Sequence, residues 1–574
     1  MERLEVKQIS GHSYYYYSKW AWVEGKCRRV WQRYLGKLQD IVQAVEGGGP
    51  PPLYAEVFQW ALPLALWGEL GRAEVVERTD RLCPKRDQGL SPGQYLGLAA
   101  VNRAIRPRSK RSFGEWFAQT ALVRELPQAD AAALASQRFW DHMDRIQGEM
   151  PQAIWKEILR GVVGREAIDV SSVSYDGTNF YTFIDTFTVA PTLAKRGKNK
   201  QGRHNLRQVQ YALFCSADGH VPLFYDVYEG NRNDARQFPL MLRRFEEFFR
   251  ELGGANAPEI TLVFDKGNNS ADNFALLDTL ALHFVGSVKL DEHKELACVS
   301  NRDSRFVPCQ APDLEGTKAF RVQKTVYGRQ RTLVVTYNPD LFEAQWLTVQ
   351  NDIAQAVERL AHLRQRLEDR RAQVIRGGKA PTVESVRSDC HNILSRQHMK
   401  KIIRIHVADG PKNVPTLAYE IDAEAVATLS DTSLGKTILI TGRHAWDNDR
   451  VIVAYRSQFI IEDVFKEMKD RETGTWWPLG HWTDSKIRVH ALYCTIALLL
   501  RAVLLRRVRQ AGLPLSLKRL LAELDTVREV VNIYPRKRRQ TAERRQTVLT
   551  KTSQMQQKLL ALLELEREKN TFLG

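Results

Sequence analysis

Residues 173 to 185 read VSYDGTNFYTFID, a run of β-branched and aromatic residues suited to a half-buried strand, with one carboxylate, Asp176, in its middle. Side chains alternate faces in an extended chain, so Asp176 shares a side with Ser174 and Thr178 while Val173 and Tyr175 point toward a core. A charge on a half-buried strand needs a partner. Taken alone, Asp176 is better explained as a hydrogen-bonded or salt-bridged aspartate than as a reactive one.

Two further acids change that balance. Ile260 to Phe264 (ITLVF) has the continuous apolar pattern of a central strand and ends in Asp265. KGNNS follows as a turn, with Ser270 as a helix N-cap. An acid at the carboxyl end of a buried strand is where open α/β sheets place their sites. The third acid lies in AYRSQFIIEDVFKEMKD, residues 454–470, which has helical period. Relative to Tyr455, Gln458, Glu462 and Lys469 fall at about −60°, −20° and −40°, one narrow stripe, if the stretch is one helix. Ile461, Val464, Phe465 and Met468 gather opposite.

The spacing Tyr455-x2-Gln458-x3-Glu462-x6-Lys469 resembles the Tyr-x2-Arg-x3-Glu-x6-Lys signature of the insertion-sequence-four group of DDE transposases, with Gln458 where that group has arginine. The resemblance implies that Asp176, Asp265 and Glu462 are the catalytic triad and the metal ligands, with Mg²⁺ as cofactor and Mn²⁺ as a substitute. It implies DNA contacts at Tyr455, Gln458 and Lys469. It further implies the transposase of a bacterial insertion sequence, cleaving DNA and transferring strands. The partners would be the terminal inverted repeats and target DNA, in a homodimer or higher synaptic assembly. Physical chemistry agrees with such a triad: Mg²⁺ takes oxygen ligands and keeps waters, and an ion pair roughly 4 Å apart serves in-line displacement at phosphorus. Two other readings stay open, a catalytically silent DNA-binding descendant and a plain RNase H-like nuclease.

Composition points the same way. Lys and Arg number 84 against 67 Asp and Glu, and the net charge of +17 calls for a polyanionic partner. Seven cysteines without a Cys-x-x-Cys pair argue against zinc fingers and disulfide frameworks, and for a reducing compartment. A cytoplasmic, nucleoid-associated protein is expected. The opening residues lack the apolar core of a signal peptide, and the apolar run Ala491 to Leu500 is too short to span a bilayer, so no membrane partner is expected.

The fold class expected is α/β: an RNase H-like mixed sheet with helices, interrupted by a β-rich insertion domain, with a mainly helical N-terminal region and a helical C-terminal tail. Residues 1–46 suggest a basic, aromatic β-hairpin, and Gly47 to Pro52 (GGGPPP) a linker. Residues 53–165 have helical pattern and are assigned as a DNA-binding domain. The core follows at 170–290, and 446–508 completes it with the Glu462 helix. Between Asp265 and Glu462 lie 462 − 265 = 197 residues, too many for a loop, so an insertion domain of strands and a helical hairpin is placed at 291–445. A basic helical extension, 509–574, ends the chain.

Three basic runs are candidates for phosphate contact: Lys195, Arg196, Lys198 and Lys200 beside Asp176, Arg536, Lys537, Arg538 and Arg539 in the tail, and Arg103 to Arg111 (RAIRPRSKR) between helices. A solvated surface run explains the first equally well. Asp185, Asp226 and Asp234 are rival acids, each at an element end or turn. His481 and His490 read as packing residues, since hard Mg²⁺ prefers oxygen. Leu434-Gly435-Lys436-Thr437 mimics the end of a phosphate-binding loop, but Ser430 stands where glycine is required and a strand follows, so ATP binding is rejected.

Overall fold

The chain opens as an antiparallel meander of β1 (Glu2–Ile9), β2 (His12–Val23) and β3 (Lys26–Gly36) in the computed structural model, which describes all residues except 24, 47–51, 86–88, 186, 190, 199–201, 233, 254–258, 478, 536–543 and 566–574. Lys200, Arg536, Lys537, Arg538, Arg539 and most of the GGGPPP segment therefore lie outside the described residues. The expected hairpin is a three-stranded sheet. Ser10 and Gly11 both take positive φ (49° and 77°), the tight turn that brings ERLEVKQI back onto β2. The Trp20 indole N–H donates to Glu5 (2.7 Å), and Arg3 lies over the Trp20 ring at 4.5 Å.

Beyond the short β4 (Tyr54–Gln59), the described residues from 61 to 166 carry helices joined by turns, and the helix Pro92–Ile105 begins with a capping box between Ser91 and Gln94 and a proline at its first turn. These helices pack on the long helix Asp484–Gln510. That helix is long and apolar enough to cross a membrane, and here it is buried inside protein.

The main sheet begins with β5 (Ser172–Thr182), the two-residue β6 (Lys195–Arg196), β7 (Arg207–Ser216) and β8 (Pro222–Glu229), with β5, β6 and β8 each antiparallel to β7. The helix Asp234–Gly253 leads to β9 (Thr261–Phe264), which lies parallel to β5, and Ala271–Thr279 leads to β10 (His283–Val288), parallel to β9. The order β8-β7-β5-β9-β10, three antiparallel strands and then two parallel ones, is the RNase H-like arrangement. Leu262, Val263 and Phe264 are fully buried, which is why the run is apolar without alternation.

The insertion is only partly a separate unit. Its strands β11 (Val307–Pro308), β12 (Lys318–Val326) and β13 (Arg329–Tyr337) extend the main sheet rather than forming their own. The 33-residue helix Pro339–Arg371, the helix Val383–Ile393, β14 (Ile403–Ala408) and β15 (Thr416–Ile421) enclose a small core of their own, with Leu360, Leu363 and Leu367 against Val386, Cys390 and Met399. β16 (Lys436–Thr441) then returns to pair between β10 and β13. Lys436 is buried, its ammonium donating to the carbonyls of Ala297, Val299 and Thr432, so this lysine is a strap and not a phosphate ligand.

The tail also departs from a purely helical reading. β17 (Arg528–Tyr534) pairs with β4 on one side and β18 (Arg544–Leu549) on the other, tying the end of the chain to the start of the helical region.

One buried cation joins these parts. Arg501, 1% exposed, donates to Glu467 (2.6 Å), to the Ala104 carbonyl (2.9 Å) and to the Thr473 carbonyl (2.7 Å). Arg501→Met leaves Glu467 unpaired and should cost about 3–5 kcal/mol, read as a lower urea midpoint. Nearby, His490 donates its Nε2–H to the Trp476 carbonyl (2.8 Å) and its Nδ1 accepts from the Tyr493 hydroxyl (2.6 Å). Burial first, and then the charge of Arg103, hold both His481 and His490 well below the usual histidine range, with Lys110 adding to the effect. The unfolded chain therefore takes up protons first. Stability should be full above the ordinary histidine pKa of about 6.5 and fall as the pH drops through it. His490→Gln should flatten that fall in an acid-denaturation series.

Candidate active site

The parallel pairing of β5 with β9 sets the site. Its register runs Ser172 with Thr261 through Tyr175 with Phe264, so Asp176 within β5 and Asp265, which follows β9 in extended backbone (φ −82°, ψ 156°), each come one residue after the last pair. Strands so paired are about 4.8 Å apart. The same register carried from Phe264 to Gly286 puts Ser287 of β10 on the level of Asp265. The Gly177 N–H donates to Asp176 Oδ1 at 2.8 Å. Beyond Asp265 the backbone is pinned: the Asn269 amide donates to the Ser287 carbonyl (2.8 Å), the Asn273 amide to the Asn268 carbonyl (2.6 Å), and Ser270 caps the next helix through the Asn273 N–H (3.1 Å).

Residues 454–470 are not one helix. Asn448–Arg456 and Gln458–Lys469 meet at Ser457, whose φ and ψ of −61° and −11° tighten the turn. The Ser457 hydroxyl donates to the Ala454 carbonyl at 2.6 Å, and the Ser174 hydroxyl donates to the Ser457 carbonyl at 3.3 Å. The break is thus fastened to β5 two residues before Asp176. At the far end, the Lys469 ammonium donates to the Thr178 hydroxyl, two residues after Asp176. The second helix therefore lies along β5 with Asp176 midway between its two ties, and Glu462 falls between them on the exposed side. Ile460, Ile461, Val464, Phe465 and Met468 face inward.

Because of the break, the common stripe measured from Tyr455 does not exist as helix geometry, yet Tyr455 still reaches the acids. Its hydroxyl donates to Ser287 Oγ at 2.8 Å. Burial raises its pKa most; the Ser287 bond opposes this, and the negative charges of Asp265 and Glu462 raise it further. One hydroxyl therefore feels both acids. Ser287 escaped the sequence reading, although a serine inside FVGSV is a polar residue in an otherwise apolar strand.

Gln458, assigned to DNA contact, is 8% exposed at the first turn of the second helix, which leaves it little surface for that role. Lys195, Arg196 and Lys198 are exposed on and beside the edge strand β6. Asp226 is buried in ion pairs with Arg244 and, at 3.8 Å, Arg488; burial raises its pKa and Arg244 lowers it, a structural use of the acid. Asp185 accepts from the Phe187 N–H (3.0 Å) in a turn, and the Asp234 side chain lies outside the described residues. Trp476 stacks on Phe180 at 4.1 Å and 12°, a core contact.

Among the described residues, no three or more His, Cys, Asp or Glu side chains are gathered as a ready metal cluster. What the register provides is a pair of aspartates with the exposed Glu462 on the facing helix. Such a set is all oxygen, the donor type that hard divalent ions take, and its open side leaves room for waters and phosphate oxygens.

Comparison with known proteins gives the site a family. No curated protein matches the chain. Solved structures similar to it include a cryo-EM structure of the piggyBac transposase synaptic complex with hairpin DNA, 9% identical over 81% of this chain and 79% of that one, with a TM-score of 0.35. Another is the Mos1 transposase paired-end complex with the left transposon end, 10% identical over 35% of this chain and 60% of that one, with a TM-score of 0.15. The family model described as "Transposase DDE domain" matches residues 167–500, more than half of the chain. The match runs from just before β5 into the long helix Asp484–Gln510, and the chain belongs to the transposase DDE domain family.

Proposed function

We propose that this protein is the transposase of a bacterial insertion sequence of the insertion-sequence-four group, cutting DNA at the element's ends and joining the freed 3′ ends to target DNA. The observation that carries the reading is that Asp176 and Asp265 each directly follow the last pair of the parallel strands β5 and β9, with the Tyr455 hydroxyl under the influence of both Asp265 and Glu462. In this reading the three acids are the catalytic and metal-binding residues. The family generally uses divalent metal ions; Mg²⁺ is the ion proposed here, with Mn²⁺ able to replace it. The chemistry such an ion supplies when bound is activation of the attacking oxygen and neutralisation of charge on the leaving one.

The chain's own residues would prepare that chemistry. Asp176 and Asp265 offer oxygen donors fixed by backbone pairing, which needs no side-chain rearrangement. Tyr455, its pKa raised, stays a hydroxyl donor while tied to Ser287, and Lys469 is held at Thr178. Both are placed to meet phosphates of a strand lying across the acids. Lys195, Arg196 and Lys198, with Lys200 and Arg536 to Arg539, would follow the DNA backbone further out. The working assembly would hold two element ends in a homodimer or larger complex, in the cytoplasm on the nucleoid. A catalytically silent DNA-binding descendant would share all of this except turnover.

Glu462→Gln separates the two. The variant should bind element ends within about twofold of the parent, while cleavage and joining fall by about 100-fold or more, because the exchange keeps shape and removes the charge that holds an ion. Asp463→Asn is the matched control: Asp463 is exposed, pairs with Lys466 at 2.8 Å, and its exchange should leave activity intact. Glu467 cannot serve, since it holds Arg501. Equal activity of Glu462→Gln and the parent, in a gel assay of cleaved and joined ends, would remove Glu462 from the site.

Binding should also be strongly salt-dependent. Exchanging Lys195, Arg196 and Lys198 for Gln should lower the slope of log affinity against log salt by about one for every phosphate that is no longer neutralised. An unchanged slope in a filter-binding titration would mean that these side chains are only solvated.

A further inference from the structure

An unexplained feature lies at the opposite end of β5 and β9 from the acids. Ser172 and Thr261 open the two strands, and beside them is an open cleft of about 560 Å³ whose other walls include Arg443, Trp446, Arg450 and Ser457. From Ser172 to Asp176 the strand rises about 13 Å, so the cleft is separate from the acidic pair.

Its cationic wall is built rather than incidental. Arg450 lies over the Trp446 ring at 4.1 Å, and Arg443 lies 5.2 Å from the same ring. Arg443 is committed: it donates to Glu259 (2.7 Å) and to the Thr261 hydroxyl (3.2 Å). Arg450 is exposed and makes no ion pair or side-chain hydrogen bond among the described residues; only its backbone N–H is used, by Asp447. The Trp446 loop is fixed from behind, with Arg321 donating to the carbonyls of Trp446 (2.8 Å) and His444 (2.9 Å). The Ser172 hydroxyl, on the cleft wall, is buried without a hydrogen-bond partner. A guanidinium seated over an indole gives up less freedom on binding, and its fork of N–H donors suits phosphate oxygens. Two guanidiniums against the single carboxylate of Glu259 leave the cleft positive.

We propose that this cleft binds a phosphodiester of a DNA strand at a second place on the protein, away from the strand held at the acids, with Arg450 as its principal contact. The inference rests on the proposed function in requiring that DNA be the partner.

The test uses the full-length protein and a labelled duplex of about 20 base pairs, with affinity measured by fluorescence anisotropy across a salt series. Arg450→Gln should weaken binding several-fold near 0.15 M salt and lower the salt slope by about one, while Arg450→Lys, which keeps the charge, should recover most of the slope. Because Arg450 is exposed, the thermal midpoint of either variant should match that of the parent. Affinity and slope unchanged in Arg450→Gln, with the parent binding DNA normally, would overturn the cleft and leave the proposed function standing. A variant that binds DNA like the parent but changes oligomeric mass in light scattering would assign the cleft to a second copy of the chain, which also overturns it. A parent that binds no DNA would remove the proposed function and this inference together.

Discussion

The parallel pairing of β5 with β9 is the constraint on which the rest of the protein depends. It is a backbone register, so the closeness of Asp176 and Asp265 does not rely on side-chain packing or on a flexible loop. A buried core on the other face, with Val173, Tyr175, Leu262 and Phe264 fully enclosed, supplies the cohesion that keeps the two strands together.

The remaining architecture brings the helix that carries Glu462 back to β5. After β10 the chain leaves for the insertion, builds a small independent core, and returns through β16, which pairs with β10 itself. The return is anchored by Lys436 at three carbonyls, and the helices that follow are tied to β5 at Ser174 and Thr178. Each tie is polar and short in reach, so the position of the glutamate helix along β5 is set at both ends. Arg501 then locks this helix, through Glu467, to the helical layer that precedes the sheet.

Much of this was legible in the sequence where a single physical signal dominates. The apolar run ITLVF could only be a doubly covered strand, and alternation around Asp176 gave its face correctly. Long-range pairing left weaker traces. Nothing in QRTLVVTY or KTILI says that these strands join the main sheet instead of a separate one, because their apolar faces would be satisfied by either. The helix break at Ser457 carries no proline or glycine; it arises from a serine bonding back to Ala454 and from a tertiary contact with Ser174, neither visible in local periodicity. ERLEVKQI at the start alternates only weakly, and its strand depends on a turn at Ser10 and Gly11 with left-handed backbone. Gln458 shows the same limit: the resemblance implied a DNA contact, and the fold leaves it 8% exposed.

The most direct test is to locate a bound ion. Crystals of the full-length protein soaked in Mn²⁺ should show an anomalous peak between the carboxylates of Asp176 and Asp265, and the peak should disappear in Asp265→Asn. A peak at another acid, such as Asp463, or one that survives the Asp265→Asn exchange undiminished, would contradict the assignment of these paired strands as the catalytic centre.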